Sequence, residues 1–338
     1  MGKEIHPLLD KEKQEKAKVY EWIRRKIGLW SMLLSGVFNI LFYFSGFSHR
    51  IASTSIFPSV ILVFIFYMFI YAGIQEIISL PISYLSGFVI EKKYGFSNQT
   101  RGEWVKEHGK SFLVSLVISI IIFGALIYIF QKFGDLWWLV SSLFMVFFSV
   151  VMSMVCPVWI MPIFHKYEPI EDEELKNSLL DILEKGGLKI KGFFREDTSK
   201  TTKKENAMLA GLGKTKRVIL TDNIINNLVF TVLFPDFLTG VRANIALLPI
   251  FLLSLNLIDL ALLKILQNAM VRRFEEQADF EALSLSEDPE AFKRAMAGLA
   301  NRNLSNAYPD FWVKLIYYSH PPVGERLQKA EEYLLDTG

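Results

Sequence analysis

The chain has 338 residues and a single cysteine, Cys156, which excludes an internal disulfide framework and any cysteine-rich metal site. Histidine is nearly as scarce. His6, His49, His108, His165 and His320 are the five present, and no two stand three or four residues apart. No helix of this chain can therefore offer a histidine pair to a metal on one face. Charge of one sign is also lacking: 37 Lys and Arg against 35 Asp and Glu leave a net +2, which implies no nucleic-acid partner. No internal repeat and no low-complexity segment is visible. A phosphate-binding loop is missing too, because Gly213-Lys214-Thr215 would need a Gly where Met208 stands.

Apolar surface is what the chain has in abundance. Half of it (51%) is hydrophobic, 28 residues are Phe, and the mean hydropathy is +0.30. Apolar runs near 28–47, 56–90, 112–131 and 136–164 reach or approach the roughly 20 residues that cross a bilayer, so a polytopic, all-α integral membrane protein is expected. The second run exceeds one crossing and holds Gln75, Glu76 and Pro81. These polar groups are expected to face a water-filled interior or to mark the cytoplasmic end of the span. Cys156 sits in the last of these runs and reads as a small core residue. The first 27 residues are charged and helix-forming, too long and polar for the leader of a secreted protein, so the first run is expected to be retained. Positive charge falls on this tail, on 91–111 and on the polar segment after 165. With four spans, all three lie on one side, which the positive-inside rule makes cytoplasmic.

The chain accordingly divides into a charged tail (1–27), a four-span region (28–165), a polar segment (166–227), a further apolar region (228–268) and a cytosolic helical segment (269–338). Within 166–227, Ile170 to Lys185 has the acidic first turn, apolar spacing and Gly-Gly stop of a helix. Lys189 to Arg195 and Arg217 to Leu220 read as short strands, making this segment a small α+β insertion.

Five motifs recur in a telling order. They are Tyr94-Gly95-Phe96-Ser97-Asn98-Gln99-Thr100, Pro162 to Ile170, Asn206 to Gly213, Arg272-Arg273-Phe274-Glu275 to Asp279, and Ser319-His320-Pro321-Pro322-Val323-Gly324-Glu325-Arg326-Leu327. Together they resemble the M48 family of membrane zinc metallopeptidases, specifically the Ste24-type CAAX prenyl protease 1 group. The resemblance implies a cage of transmembrane helices around a chamber, with a zinc site on its cytosolic side. It implies cleavage of peptide bonds near the C-terminus of prenylated proteins or of other membrane-associated chains. By the same resemblance Glu275 matches the third zinc ligand, Asp279 its supporting partner, and His320 a histidine close to the site. Asn206, Ala207 and Gly211 match the strand that holds the substrate backbone. The bland alternatives are a solvated carboxylate for Glu275, a turn-orienting role for His320, and span-flanking charges for Arg272 and Arg273.

The family's His-Glu-x-x-His helix, which supplies two zinc ligands and the general base, does not occur. It would follow Leu220-Thr221-Asp222, but here Asn227 runs directly into Leu228. Glu275 alone cannot hold zinc tightly, since a catalytic zinc takes three protein ligands. Two readings stay open. Either a segment of a functional peptidase is missing between Asn227 and Leu228, or the chain is a pseudopeptidase that binds lipidated or hydrophobic peptides without cutting. The partners expected are a peptide substrate and the lipid bilayer. The plain charged tail suits a bacterial inner membrane, with the endoplasmic reticulum as the alternative.

Overall fold

The computed structural model describes residues 5–164, 166–169, 193–196, 202–204, 208–210, 217–220, 249–250, 253, 264–286 and 288–337. Helix α1 (Lys11–Phe44) is one uninterrupted helix of 34 residues, capped by the Asp10 carboxylate accepting from the Lys13 amide. A boundary after residue 27 therefore falls inside a helix: the charged tail and the first span are one rod. After the short α2 (Phe47–Ala52), α3 (Val60–Tyr84) continues through a π-helical turn, Leu85–Ile90, to Lys93. Helix α4 (Arg101–Phe133) and helix α5 (Trp137–Val155) follow, the latter extended by a second π-helical turn, Cys156–Ile160, and by Met161–Phe164.

Among the described residues, three helical stretches are long and apolar enough to cross a membrane: Lys11–Phe44, Val60–Lys93 and Arg101–Val155. The third is two spans, not one. Lys110 near its start donates to the Ile163 carbonyl beyond its end, at 3.3 Å, which a straight rod cannot allow. The chain reverses at Gly134–Leu136, where Phe130 meets Trp137 edge to face. Four long apolar helices, α1, α3, α4 and α5, thus run as an up-and-down series.

Side-chain pairs fix the neighbours. The Tyr71 hydroxyl donates to Asn39 (2.8 Å) and Gln75 donates to Ser35 (3.1 Å), both from α3 to α1, and Ser48 of α2 meets Tyr67 of α3 (2.8 Å). Polar groups inside a bilayer need such partners because no water is there to serve them. Around them Phe38, Phe42, Phe64, Tyr67 and Tyr71 form an aromatic core. Glu76 pairs with His108 of α4 at 2.5 Å. Gln75 and Glu76 therefore bolt α3 to its two neighbours, one on each side.

The polar end of this bundle carries the rest. Strands β1 (Tyr167–Pro169), β2 (Phe193–Glu196), β3 (Met208–Ala210) and β4 (Arg217–Leu220) form one sheet in the order β1-β2-β4-β3. β2 and β4 are parallel, and the outer pairs are antiparallel. Both expected strand regions are seen, while the helix expected at Ile170 to Lys185 lies outside the described residues, as do Asn227 and Leu228. Helices α6 (Lys264–Ser286), α7 (Pro289–Asn303), α8 (Phe311–Tyr317) and α9 (Val323–Thr337) complete the chain.

The N-terminal rod holds this helical unit. Leu9 is buried among Ala297, Ala300, Ala307 and Leu327. Gln14, almost fully buried, donates to the Ser305 carbonyl and accepts from the Ala307 amide. Glu21 accepts from Asn306, and the Arg25 guanidinium sits 5.9 Å over the Tyr317 ring.

The loop from α3 to α4 is built by its motif. Gly95 has φ +77, a left-handed value that costs a side-chain-bearing residue about 1 kcal/mol. Its amide bonds the Lys92 carbonyl and that of Phe96 bonds Glu91, the two-bond stop of a Schellman motif. Five residues later Thr100 and Glu103 form a reciprocal capping box that starts α4.

Candidate active site

On α6, Asn268, Arg272, Glu275 and Asp279 recur at i, i+4, i+7 and i+11, the spacing that puts side chains on one helix face. The first two meet the end of α8 and the residue after it, and the last two meet the motif Ser319 to Leu327. Asn268 donates to the Ile316 carbonyl at 2.7 Å, and Arg272 donates to the carbonyls of Lys314 (3.2 Å) and Tyr318 (2.5 Å). These carbonyls lie at the C-terminus of α8, where the helix dipole also favours a cation; that of Lys314 accepts the Tyr318 amide as well. Arg272 is buried, so it is no span-flanking charge; Arg273 is the exposed one of the pair.

That clamp fixes the backbone leading into His320. The His320 Nδ1 lies 3.2 Å from Glu275 Oε1. His320, by donating to the Glu275 carboxylate, holds it below the usual carboxylate range against the opposing effect of burial; the Arg326 charge adds to the lowering. One turn on, Asp279 is buried and takes Arg326 in a two-pronged pair: Nε to Oδ2 at 2.7 Å and a guanidinium NH2 to Oδ1. The next row of α6 packs the same partner helix, with Glu276 paired to Lys329 (3.0 Å) and Phe280 edge-on to Tyr333.

The remaining motif residues are accounted for by packing. Pro321 and Pro322 are buried, and the Pro322 carbonyl accepts the amides of Glu325 and Arg326 to start α9. Glu325 takes the Lys314 ammonium on both oxygens, at 2.8 and 2.7 Å. Gly324 lies against the Tyr308 ring, so that a Cβ there would stand 2.2 Å from a ring carbon. Leu327 is fully buried.

The structure thus brings Glu275 and His320 together and locks Asp279 to Arg326 beside them. Asn206, Ala207 and Gly211 lie outside the described residues. β3, between them, is described: it pairs with β4 on one side and, among the described residues, has no strand on the other. Arg326 and Gly324 were not singled out by sequence reasoning, and Arg272 was read only as a span-flanking charge. The periodic polar stripe of α6 and the positive charge of Arg326 within its motif were the signals available.

These residues do not make a zinc site. Among the described residues no group of three His, Cys, Asp or Glu is placed to hold a metal. Both Asp279 oxygens are taken by Arg326, leaving Glu275 and His320 as two donors where a catalytic zinc takes three.

Comparison with known proteins bears on the whole chain. The family model "CAAX prenyl protease N-terminal, five membrane helices" matches residues 1–166, and "Peptidase family M48" matches residues 229–334. The chain is 25% identical over 311 residues to the "Uncharacterized metalloprotease YhfN" of Bacillus subtilis, covering 79% of this chain and 72% of that protein. It is 34% identical over 163 residues to CAAX prenyl protease 1 of Saccharomyces cerevisiae, covering 46% of this chain and 35% of that one. It is 27% identical over 303 residues to the CAAX prenyl protease 1 homolog of Oryza sativa, covering 76% of this chain and 71% of that protein. The crystal structure of S. mikatae Ste24p has the same fold, with a TM-score of 0.79 at 22% identity over 96% of this chain and 90% of that one. The Bacillus and Oryza matches are longer than the share of this chain they occupy: 79% and 76% of 338 residues are about 267 and 257, leaving some 44 and 46 aligned positions without a residue here.

Proposed function

From the premise that the chain belongs to peptidase family M48, as a membrane-embedded Ste24-type member, we propose that it is the frame of a zinc endopeptidase lacking one internal segment. That segment would carry His-Glu-x-x-His and stand between Asn227 and Leu228. Two relatives have some 44 and 46 aligned positions without a residue here, in total enough for a helix and most of a span. With the segment in place, the substrates are peptide bonds of C-terminally prenylated or other membrane-associated proteins. Glu275 of α6 would then be one ligand of a zinc held also by two histidines of that segment, and the metal would supply an activated water. Without it, the chain is a peptide-binding membrane scaffold that does not cut.

One observation carries this reading. Glu275 is already oriented by His320, and Asp279 is already locked to Arg326, although the partner helix is absent. In this reading Asn206, Ala207 and Gly211 flank an edge strand, β3, which holds an extended peptide through its backbone. The five-part division of the chain and a cytoplasmic position for the polar segment belong to the same proposal. So does a bacterial inner membrane as the location, with the endoplasmic reticulum as the alternative. The test is to insert the aligned segment of the bacterial relative between Asn227 and Leu228 and measure zinc content and cleavage of a farnesylated peptide. The repaired chain should bind one zinc and cleave, and lose both with Glu275→Ala or a chelator. The chain as it stands should bind peptide but hold no stoichiometric zinc. Stoichiometric zinc in the unrepaired chain, or none in a folded repaired one, would sink the proposal.

A further inference from the structure

We propose that Glu91 and Lys204 are positioning residues for the peptide-holding strand β3, the loop Tyr94 to Thr100 serving as the dock for the chain just before it. The inference rests on the reading of β3 given above and extends it to residues that nothing else in the site explains.

The observation is a polar knot at the polar end of the spans. The Glu91 carboxylate accepts from three donors on two other segments: the Tyr20 hydroxyl (2.5 Å), Arg24 (2.8 Å) and the Lys204 ammonium (2.8 Å). Lys204 also donates to the Tyr20 hydroxyl at 2.7 Å, and its ammonium sits 4.6 Å from the centre of the Phe96 ring. The backbone joins in. The Lys203 amide donates to the Phe96 carbonyl at 2.7 Å, and Ser97 bridges Thr202 in antiparallel register. Residues 202–204 are thus pinned by backbone and side chain to α1, to the end of α3 and to the loop between α3 and α4.

The position of the knot gives it consequence. Lys204 is four residues before Met208, the start of β3, so the tether sets where that strand begins. The Tyr94 to Thr100 motif has a backbone reason for each helix end, but neither end requires Phe96 to offer its carbonyl outward or Ser97 to pair. Docking of 202–204 does. Glu91 is also the only negative charge in the knot, against Arg24 and Lys204. Removing it leaves the Lys204 ammonium, 20% exposed, without its carboxylate, while the half-exposed Arg24 can turn to water, so the segment carrying Lys204 is the one free to leave.

The experiment uses the full chain in lipid nanodiscs, comparing wild type with Glu91→Ala and Lys204→Met. Lys204→Met removes one donor from the docked segment and leaves α1 and α3 untouched, so it stands if Glu91→Ala fails to fold. Hydrogen exchange is read over 202–210 and, as an internal control, over 112–131. Affinity is read with a fluorescein-labelled peptide bearing a farnesylated cysteine near its C-terminus. Exchange over 202–210 should accelerate about tenfold or more in both variants with 112–131 unchanged, and peptide affinity should fall about fivefold or more. Unchanged exchange over 202–210 overturns the tether. Faster exchange with undiminished affinity overturns the role of β3 in holding peptide, as does a wild-type chain that binds no probe.

Discussion

The pair between Asp279 and Arg326 should be the strongest single link between the helix that carries Glu275 and the helix that follows His320. Asp279→Asn keeps the shape but turns one acceptor into a donor facing a guanidinium. Removing one partner of a fully buried ion pair costs about 3–5 kcal/mol, because the other charge is left without compensation. Here the side chains are 11% and 18% exposed, so water relieves part of that cost, and about 2–3 kcal/mol is expected. That corresponds to a loss of about 30- to 150-fold in protection against opening. Native-state hydrogen exchange at the amides of Leu327 and Ala330, both fully buried on α9, reads this locally without requiring global two-state unfolding. A double-mutant cycle with Arg326→Gln separates the pair from its surroundings: the double variant should recover at least about 1 kcal/mol relative to the sum of the singles. Protection at Leu327 and Ala330 within threefold of wild type, or strictly additive singles, would refute the reasoning.

Three further outcomes are expected. Gly324→Ala should destabilise the chain by about 1–3 kcal/mol, since the 2.2 Å approach to Tyr308 outweighs the roughly 1 kcal/mol helix-propensity gain of alanine. A raised thermal midpoint would contradict it, and truncating Tyr308 should reverse the sign. Arg272→Met should cost about 1–3 kcal/mol by taking the buried donor from the Tyr318 carbonyl, that of Lys314 keeping the Tyr318 amide, visible as faster proteolysis around 314–320. For Glu275 the sign follows from its lowered carboxyl. Its pairing contributes fully above about pH 4.3, the ordinary glutamate value, and is lost as pH falls through the lowered folded value. His320→Ala should move its titration midpoint upward in a carbon-detected NMR titration; an unmoved midpoint would mean the pairing is absent in solution.

Much of the frame was legible in the sequence. The apolar runs announce themselves because a bilayer demands unbroken stretches, and the tiny turn near 132–135 is a real reversal. The Thr100 to Glu103 capping box has a spacing visible without any structure. The N-terminal tail was not legible. Gln14 and Tyr20 sit among lysines and glutamates and read as one solvated surface, yet both are buried. Their partners lie about 290 residues away for Gln14, at Ser305 and Ala307, and about 70 for the Tyr20–Glu91 contact, beyond anything local periodicity encodes. In the site, Glu275, Asp279 and His320 were legible from the order of the motifs; the two carboxylates share one face of α6, and His320 meets that face from the segment before α9. That Asp279 answers to Arg326, and that Arg272 closes α8, are facts of packing. A charge next to an apolar run looks the same whether it meets water or a helix end.

The length of α1 has a mechanical consequence. As one rod of 34 residues it is about 51 Å long, fixed at one end in the aromatic core of the first hairpin and at the other among α7, α9 and the residues that lead to His320. A rod of that length turns a tilt of about 5° into a displacement of about 4 Å at its far end. Helices adjust their tilt to hydrocarbon thickness. The thickness of the surrounding lipid and the registration of the α6–α9 unit on the spans are therefore two readings of one variable.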